Sequence, residues 1–244
     1  MSPLVGAVGL SAAGSLGGLL AASLLLLLPA ATRSRLVPPL VSYAVGALLG
    51  VALVAMLPEA IAMAPAPRVF GTLLGGILLF FVLEKLLLWR HCHSDSCAVH
   101  GTSGPLVLIG GAVHNFIDGA LIGASLVTSV SLGVSAAIAV AAHEVPHEIG
   151  DFAVLLHAGY SRSRALALNI VCGLASLAGA VGAVLLVDVV PGLLPYLLAV
   201  AASSFLYVAL SDLVPDLHST GPSGATAVRQ VLLVGLGMGT VLLL

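Results

Sequence analysis

Apolar residues run through this chain in blocks too long for a globular core. Predominantly apolar stretches of about 18 residues or more recur from one end to the other, the length a helix needs to cross a bilayer. Eight spanning helices are predicted, over residues 4–28, 38–63, 69–90, 105–128, 132–157, 162–187, 193–215 and 225–243. The breaks between them carry Pro, Gly, Ser and Arg, as in TRSRLVPP, APAPR, GYSRSR and HSTGPSG, residues that favour turns over continued helix. The alternation that marks a membrane β-barrel is absent. The expected fold class is an all-α integral membrane protein, with residues 1–244 forming one transmembrane domain and 91–104 forming its one long polar loop.

Composition removes the soluble alternative. Charged residues make up 7% of the chain and hydrophobic ones 60%, whereas soluble domains carry roughly 25% charged residues. Mean hydropathy is +1.20. The formal net charge of -2, without a basic patch, argues against nucleic acid as a partner. The odd set of cysteines, Cys92, Cys97 and Cys172, gives no disulfide framework. The first apolar run lacks preceding basic residues and is followed by Arg33 and Arg35, the order of a spanning helix rather than a cleaved signal. With the N-terminus outside, Arg33, Arg35, Lys85, Arg90, Arg162, Arg164 and Arg229 all fall on the cytoplasmic side, and Arg68 alone lies outside. Both termini are then extracytoplasmic, and the expected location is the cell (inner) membrane.

Against this background the titratable residues of spans four and five stand out. Span four contains HNFIDG, in which His114 and Asp118 are four apart and share a helix face, with Asn115 beside them. Span five contains AAHEVPHEIGD, with His143, His147 and Asp151 on one stripe and Glu144 and Glu148 on a second. Each such group costs about 2.5–3.5 kcal/mol at the bilayer centre, so the set needs a shared partner. Counting about 1.5 Å per residue from opposite entry sides puts His114 roughly 14 Å and His143 roughly 17 Å deep, both near the midplane. Imidazoles mixed with carboxylates suit Zn²⁺, Fe²⁺, Mn²⁺ or Cd²⁺, whereas carboxylates alone would suit Ca²⁺ or Mg²⁺.

Further polar positions extend the picture. Glu148 and Asp151 lie toward the cytoplasm and can relay metal or protons. Glu59, near the outer end of span two, is either an entry ligand or a solvated helix-end acid, and Asp212 in span seven is a path-lining or packing residue. Pro146 frees the carbonyl of Ala142 and is expected to kink span five. Gly119 and Gly123, four apart, permit a close helix neighbour. His91, Cys92, His93, Asp95, Cys97 and His100 in the long loop are candidates for metal capture, although their spacing matches no closed zinc site. AMLPEA in span two and DLVPDL in span seven form a faint internal echo, as an inverted repeat of spans 1–3 and 6–8 would produce.

HEVPH also fits the HExxH pattern, in which two histidines hold zinc and the glutamate activates water. An intramembrane zinc metalloprotease is therefore the rival reading. Its third ligand would be a later Asp in a DG pair, but Asp118-Gly119 comes before the HExxH helix. A metal sensor that binds without transport is a third reading.

HNFIDG followed by HEVPHEIGD resembles the ZIP (Zrt/Irt-like) metal transporters, in the branch whose fifth helix reads HExPHExGD. The likeness extends to LPEA in span two, FVLEK in span three and FLYVALSDLVPDL in span seven. It implies a bundle of eight helices with a binuclear or closely coupled metal site between helices four and five. It also implies transport of Zn²⁺ toward the cytoplasm by an elevator-like movement, often within a homodimer, with no catalytic cofactor and no enzyme activity. The ligands it implies are His114, Asn115, Asp118, His143, Glu144 and His147, with His143 favouring zinc. The sequence departs from that pattern in four places. Asp118 stands where many relatives have Glu. Ala55 replaces a histidine upstream of the LPEA proline. Span six offers Asn169, Cys172 and Ser176 but no Glu. A large extracellular domain is missing, so a minimal, prokaryotic-style transporter is expected.

Overall fold

The computed structural model describes residues 2–89, 103–190, 192–219 and 224–243, and every element among them is helical. Eight rods follow one another. They are α1 (Pro3–Leu27), α2 (30–63), α3 (Ala66–Trp89), α4 (Ser103–Thr128), α5 (Val130–His157), α6 (Arg162–Val189), α7 (194–219) and α8 (Gly224–Leu243). Seven are long and apolar enough to cross a membrane. The remaining one, α5, spans 28 residues, about 42 Å of helix, and it carries the polar motif.

Most boundaries follow from local chemistry. Ser129 Oγ accepts from Leu132 N–H at the start of α5, and Ser161 Oγ accepts from Arg164 N–H at the start of α6, each satisfying an otherwise orphaned donor. Gly159, at φ +87°, closes the far end of α5, a conformation that glycine adopts at little cost. One expected break is helical instead. The TRSRLVPP segment lies inside α2, which starts eight residues earlier than expected and passes through Pro38 and Pro39. Proline's fixed φ is compatible with helix, and the Ser42 hydroxyl donates to the Pro38 carbonyl at 2.9 Å.

Two helices contain a wider turn, Val51–Met56 in α2 and Val208–Leu213 in α7, each ending two residues before a proline, Pro58 and Pro215. A proline ring presses on the carbonyl four residues back, and a wide turn moves that carbonyl aside. A third wide turn, Ala12–Leu16, lies in α1. No such wide turn precedes Pro146; α5 is assigned as α-helix through that position.

The packing repeats itself with the halves exchanged. α4 packs on α6 as α5 packs on α1, α2 packs on α8 as α7 packs on α3, and α4–α5 and α2–α7 pair across the middle. Exchanging α1–α3 with α6–α8, and α4 with α5, maps this set of contacts onto itself, as an inverted repeat requires. The tightest seams are bare backbone. A Cβ on Gly119 would stand 1.7 Å from the Ser176 carbonyl oxygen, one on Gly179 1.9 Å from that of Phe116, and one on Gly46 2.0 Å from that of Val234. Leu48, Met56, Ile122, Val140, Leu198 and Phe205 fill the space between α2, α4, α5 and α7. α3 and α8 turn Leu74, Leu78, Val231 and Leu232 outward, as lipid-facing helices do.

Candidate metal centre

α4 and α5 run side by side and bring their polar motifs to one level inside the bundle. His114 and Asp118 point from α4, and His143 and Glu144 from α5. One ligand atom from each lies within 4.8 Å of all the others. His143 Nε2 is 2.9 Å from Asp118 Oδ2 and 3.2 Å from His114 Nε2. His114 Nε2 is 3.4 Å from Glu144 Oε1 and 3.6 Å from Asp118 Oδ2. Asp118, His143 and Glu144 are buried, and His114 retains partial access.

The hydrogen bonds give this cluster its character. His143 Nδ1 lies 3.0 Å from the Ala139 carbonyl, which accepts the Nδ1 proton and, in the neutral ring, leaves Nε2 a lone pair facing the cluster. Both oxygens of Asp118 and both of Glu144 are buried without a hydrogen bond of good geometry. Four potential ligand groups therefore converge, and the ring nitrogens of His114 and His143 are the groups within reach of these carboxylates. With the carboxylates ionised and the imidazoles neutral, the four groups would balance the charge of one divalent cation, and this mixed N/O set suits Zn²⁺ and its neighbours.

The framework behind the site is close-fitting. A Cβ on Gly18 of α1 would meet Glu144 Cβ at 2.6 Å, so α1 backs directly onto that ligand position. The ring of Phe205 on α7 closes the other side, 6.1 Å from the His143 ring. No rule of metal-ligand spacing singles out Phe205 or Gly18; Asn169 enters the sequence reading only as a departure in span six, and α7 through Asp212, the DLVPDL echo and the FLYVALSDLVPDL resemblance.

The other expected site residues lie at varying distances from the cluster. Asn115 is buried; its amide donates to the Gly111 carbonyl at 3.0 Å while Oδ1 has no partner. His147 stands outside the four-atom cluster. Its ring stacks on His114 at 4.5 Å, and its Nδ1 is 3.9 Å from Asp151 Oδ2. Glu148 is buried, Oε2 without a partner, against Asn169 of α6. Glu59 lines a cleft of about 270 Å³ with Thr128, Ser129, Ser131 and Ser135, at the end of the bundle where α4 finishes and α5 begins. Asp212 is exposed on α7, near Glu84 of α3, whose carboxylate accepts a hydrogen bond from Tyr207. His91, Cys92, His93, Asp95, Cys97 and His100 lie outside the described residues.

The cluster does not match the protease pattern. HExxH would place His143 and His147 together on one metal with Glu144 left for water. Here Asp118 and His114 stand with His143, while His147 stacks beside them.

Comparison with known proteins agrees. Zinc transporter ZIP4 of Mus musculus is 45% identical over 140 residues, covering 57% of this chain and 21% of that protein. Zinc transporter ZIP10 of Homo sapiens is 35% identical over 166 residues, 62% of this chain and 20% of its own length. Zinc transporter ZIP13 of Pongo abelii is 34% identical over 194 residues, 73% of this chain and 58% of that protein. The chain thus spans about a fifth of the length of the ZIP4 and ZIP10 proteins it matches. These relatives are named as transporters, not enzymes. The family model for the ZIP zinc transporter matches residues 89–244, well over half of the chain and all of α4 to α8, and the protein belongs to that family.

Proposed function

We propose that this protein carries Zn²⁺ as cargo across the membrane and into the cytoplasm, and that Fe²⁺, Mn²⁺ and Cd²⁺ share the path. His114, Asn115, Asp118, His143, Glu144 and His147 are the ligands in this reading. The observation that carries it is the buried convergence of His114, Asp118, His143 and Glu144, in which no hydrogen bond of good geometry reaches the carboxylate oxygens. In hydrocarbon such a set is costly unless a cation completes it. The partial access of His114 and the stacked, half-exposed His147 give the cation a way off the cluster.

The direction, toward the cytoplasm, is what the family resemblance implies, and the arginine distribution supports an orientation with the N-terminus outside. Metal then enters at the cleft beside Glu59 and leaves past Glu148 and Asp151. Proteoliposomes with the protein in one orientation test this. Saturable Zn²⁺ uptake, lost in His143→Ala and Glu144→Ala while the variants remain monodisperse, is the expected result. Undiminished uptake in both variants overturns the ligand assignment. Specific cleavage of membrane peptides that stops in Glu144→Gln would return the choice to a protease.

A further inference from the structure

We propose that the cleft between the ends of α1 and α5 and the start of α6 binds one anionic phospholipid, with its phosphate against Arg162 and an acyl chain between the helices. The site goes beyond the metal-carrier reading and uses none of the residues of the metal cluster. It takes from that reading only which end of the bundle faces the cytoplasm.

The cleft holds about 360 Å³, within the range of about 300–1,000 Å³ that small-ligand sites occupy. Leu26 of α1, Ile149, Phe152 and Leu156 of α5 and Leu166 of α6 line it. Ile149, Phe152 and Leu156 recur at helical spacing, so one stripe of α5 forms a wall. These apolar side chains offer a ligand's body no hydrogen bond, and they suit a hydrocarbon chain. Arg162 and Ser163, the first two residues of α6, complete the polar part of the lining.

Charge decides which lipid fits. No acidic residue lines the cleft. Arg162 is exposed, and among the described residues it has no carboxylate partner. Arg164 brings a second cation to the same helix end, 4.9 Å from the centre of the Tyr160 ring. The positive end of the α6 dipole adds to both. Arginine grips phosphate through two N–H groups at once, and basic pockets between spanning helices on the cytoplasmic side take anionic headgroups. On the orientation proposed above, the three helix ends lie in that leaflet. A larger cleft of about 650 Å³ between α2, α7 and α8 has no Arg or Lys in its lining, so the same preference does not extend to it. A lipid seated at Arg162 bears on α5 beside Glu148 and Asp151, and braces the helix that carries His143 and Glu144.

The test is thermal unfolding of the zinc-free full chain in neutral detergent, titrated with dioleoyl phosphatidylglycerol, dioleoyl phosphatidylcholine or glycerol 3-phosphate. Phosphatidylglycerol is expected to raise the melting temperature saturably, with one lipid per chain by native mass spectrometry. Phosphatidylcholine should need about tenfold more lipid, the loss of one charge-assisted contact, and glycerol 3-phosphate should have no effect. Arg162→Ala should bring the phosphatidylglycerol midpoint to that of phosphatidylcholine, whereas Arg229→Ala should leave it in place. Leu166→Trp fills the cleft and keeps the charge, and should weaken both lipids. Equal midpoints for the two lipids in the parent protein, or a phosphatidylglycerol midpoint that neither Arg162→Ala nor Leu166→Trp moves, overturns the site. A shift with glycerol 3-phosphate as large as with phosphatidylglycerol overturns it too, because phosphate alone would then suffice. An intact lipid response alongside failed Zn²⁺ uptake overturns the transport reading instead and leaves the lipid site standing.

Discussion

His143 Nε2 approaches Asp118 Oδ2 to 2.9 Å, across two helices that cross the bundle in opposite directions. The Ala139 carbonyl takes the proton of the other ring nitrogen. The short approach therefore sets one lone pair against another unless a proton or a metal lies between them. A metal resolves this without changing the tautomer, which makes the pair the most demanding part of the cluster.

Asp118→Asn keeps the size of that group and removes its charge. It is expected to lower Zn²⁺ affinity by about tenfold or more, about 1.4 kcal/mol, by calorimetry on the detergent-solubilised protein. Asp118→Glu keeps the charge and is expected to stay within about threefold of the parent. Equal losses in both variants would mean that packing, not ligation, fixes this position.

His147 and His143 were equivalent in the HEVPH motif but are not equivalent in the fold. His143 is 1% exposed within the cluster, whereas His147 stacks at its edge. His147→Ala should weaken Zn²⁺ binding by about tenfold and His143→Ala by about a hundredfold. The reverse order would place the principal metal one turn lower than the cluster of four suggests.

The seam between α4 and α6 supplies a test of packing. Gly119→Ala would drive a methyl to 1.7 Å from the Ser176 carbonyl, and neither backbone can yield without moving the helix that carries His114 and Asp118. A loss of about 1–3 kcal/mol in stability is expected, read as a lower melting temperature in detergent. Gly71→Ala on α3, with nothing within 4 Å, should leave the melting temperature unchanged. Equal melting for the two variants would show that the seam opens easily.

Much of this molecule is written in its sequence because lipid demands long apolar runs. The eight rods and the shared depth of HNFIDG and HEVPHEIGD need only the rise of a helix and the thickness of a bilayer. The start of α2 differs from the expectation because a proline pair reads as a break, yet its φ suits a helix that has already begun. Gly119 and Gly123 announced a close neighbour but not that it would be α6, since partner choice depends on the surfaces of both helices. His147 and His143 lie on one stripe, and nothing in their spacing says which of them turns inward. The AMLPEA and DLVPDL echo was faint as text. It becomes clear as geometry in the wide turns before Pro58 and Pro215 and in contacts that exchange the two halves.

Glu59 stands apart from the cluster, exposed in a cleft with Thr128, Ser129, Ser131 and Ser135. A carboxylate in that place attracts cations to the mouth without holding them, so its effect belongs to capture rather than to turnover. Glu59→Gln is expected to raise the KM for Zn²⁺ uptake about two- to fivefold with the maximal rate unchanged, and the difference should shrink as ionic strength rises, because screening weakens attraction between exposed charges. Measuring initial uptake rates in proteoliposomes across zinc concentrations at low and high salt separates the two parameters. A fall in maximal rate at unchanged KM would instead tie Glu59 to the movement that carries the metal across.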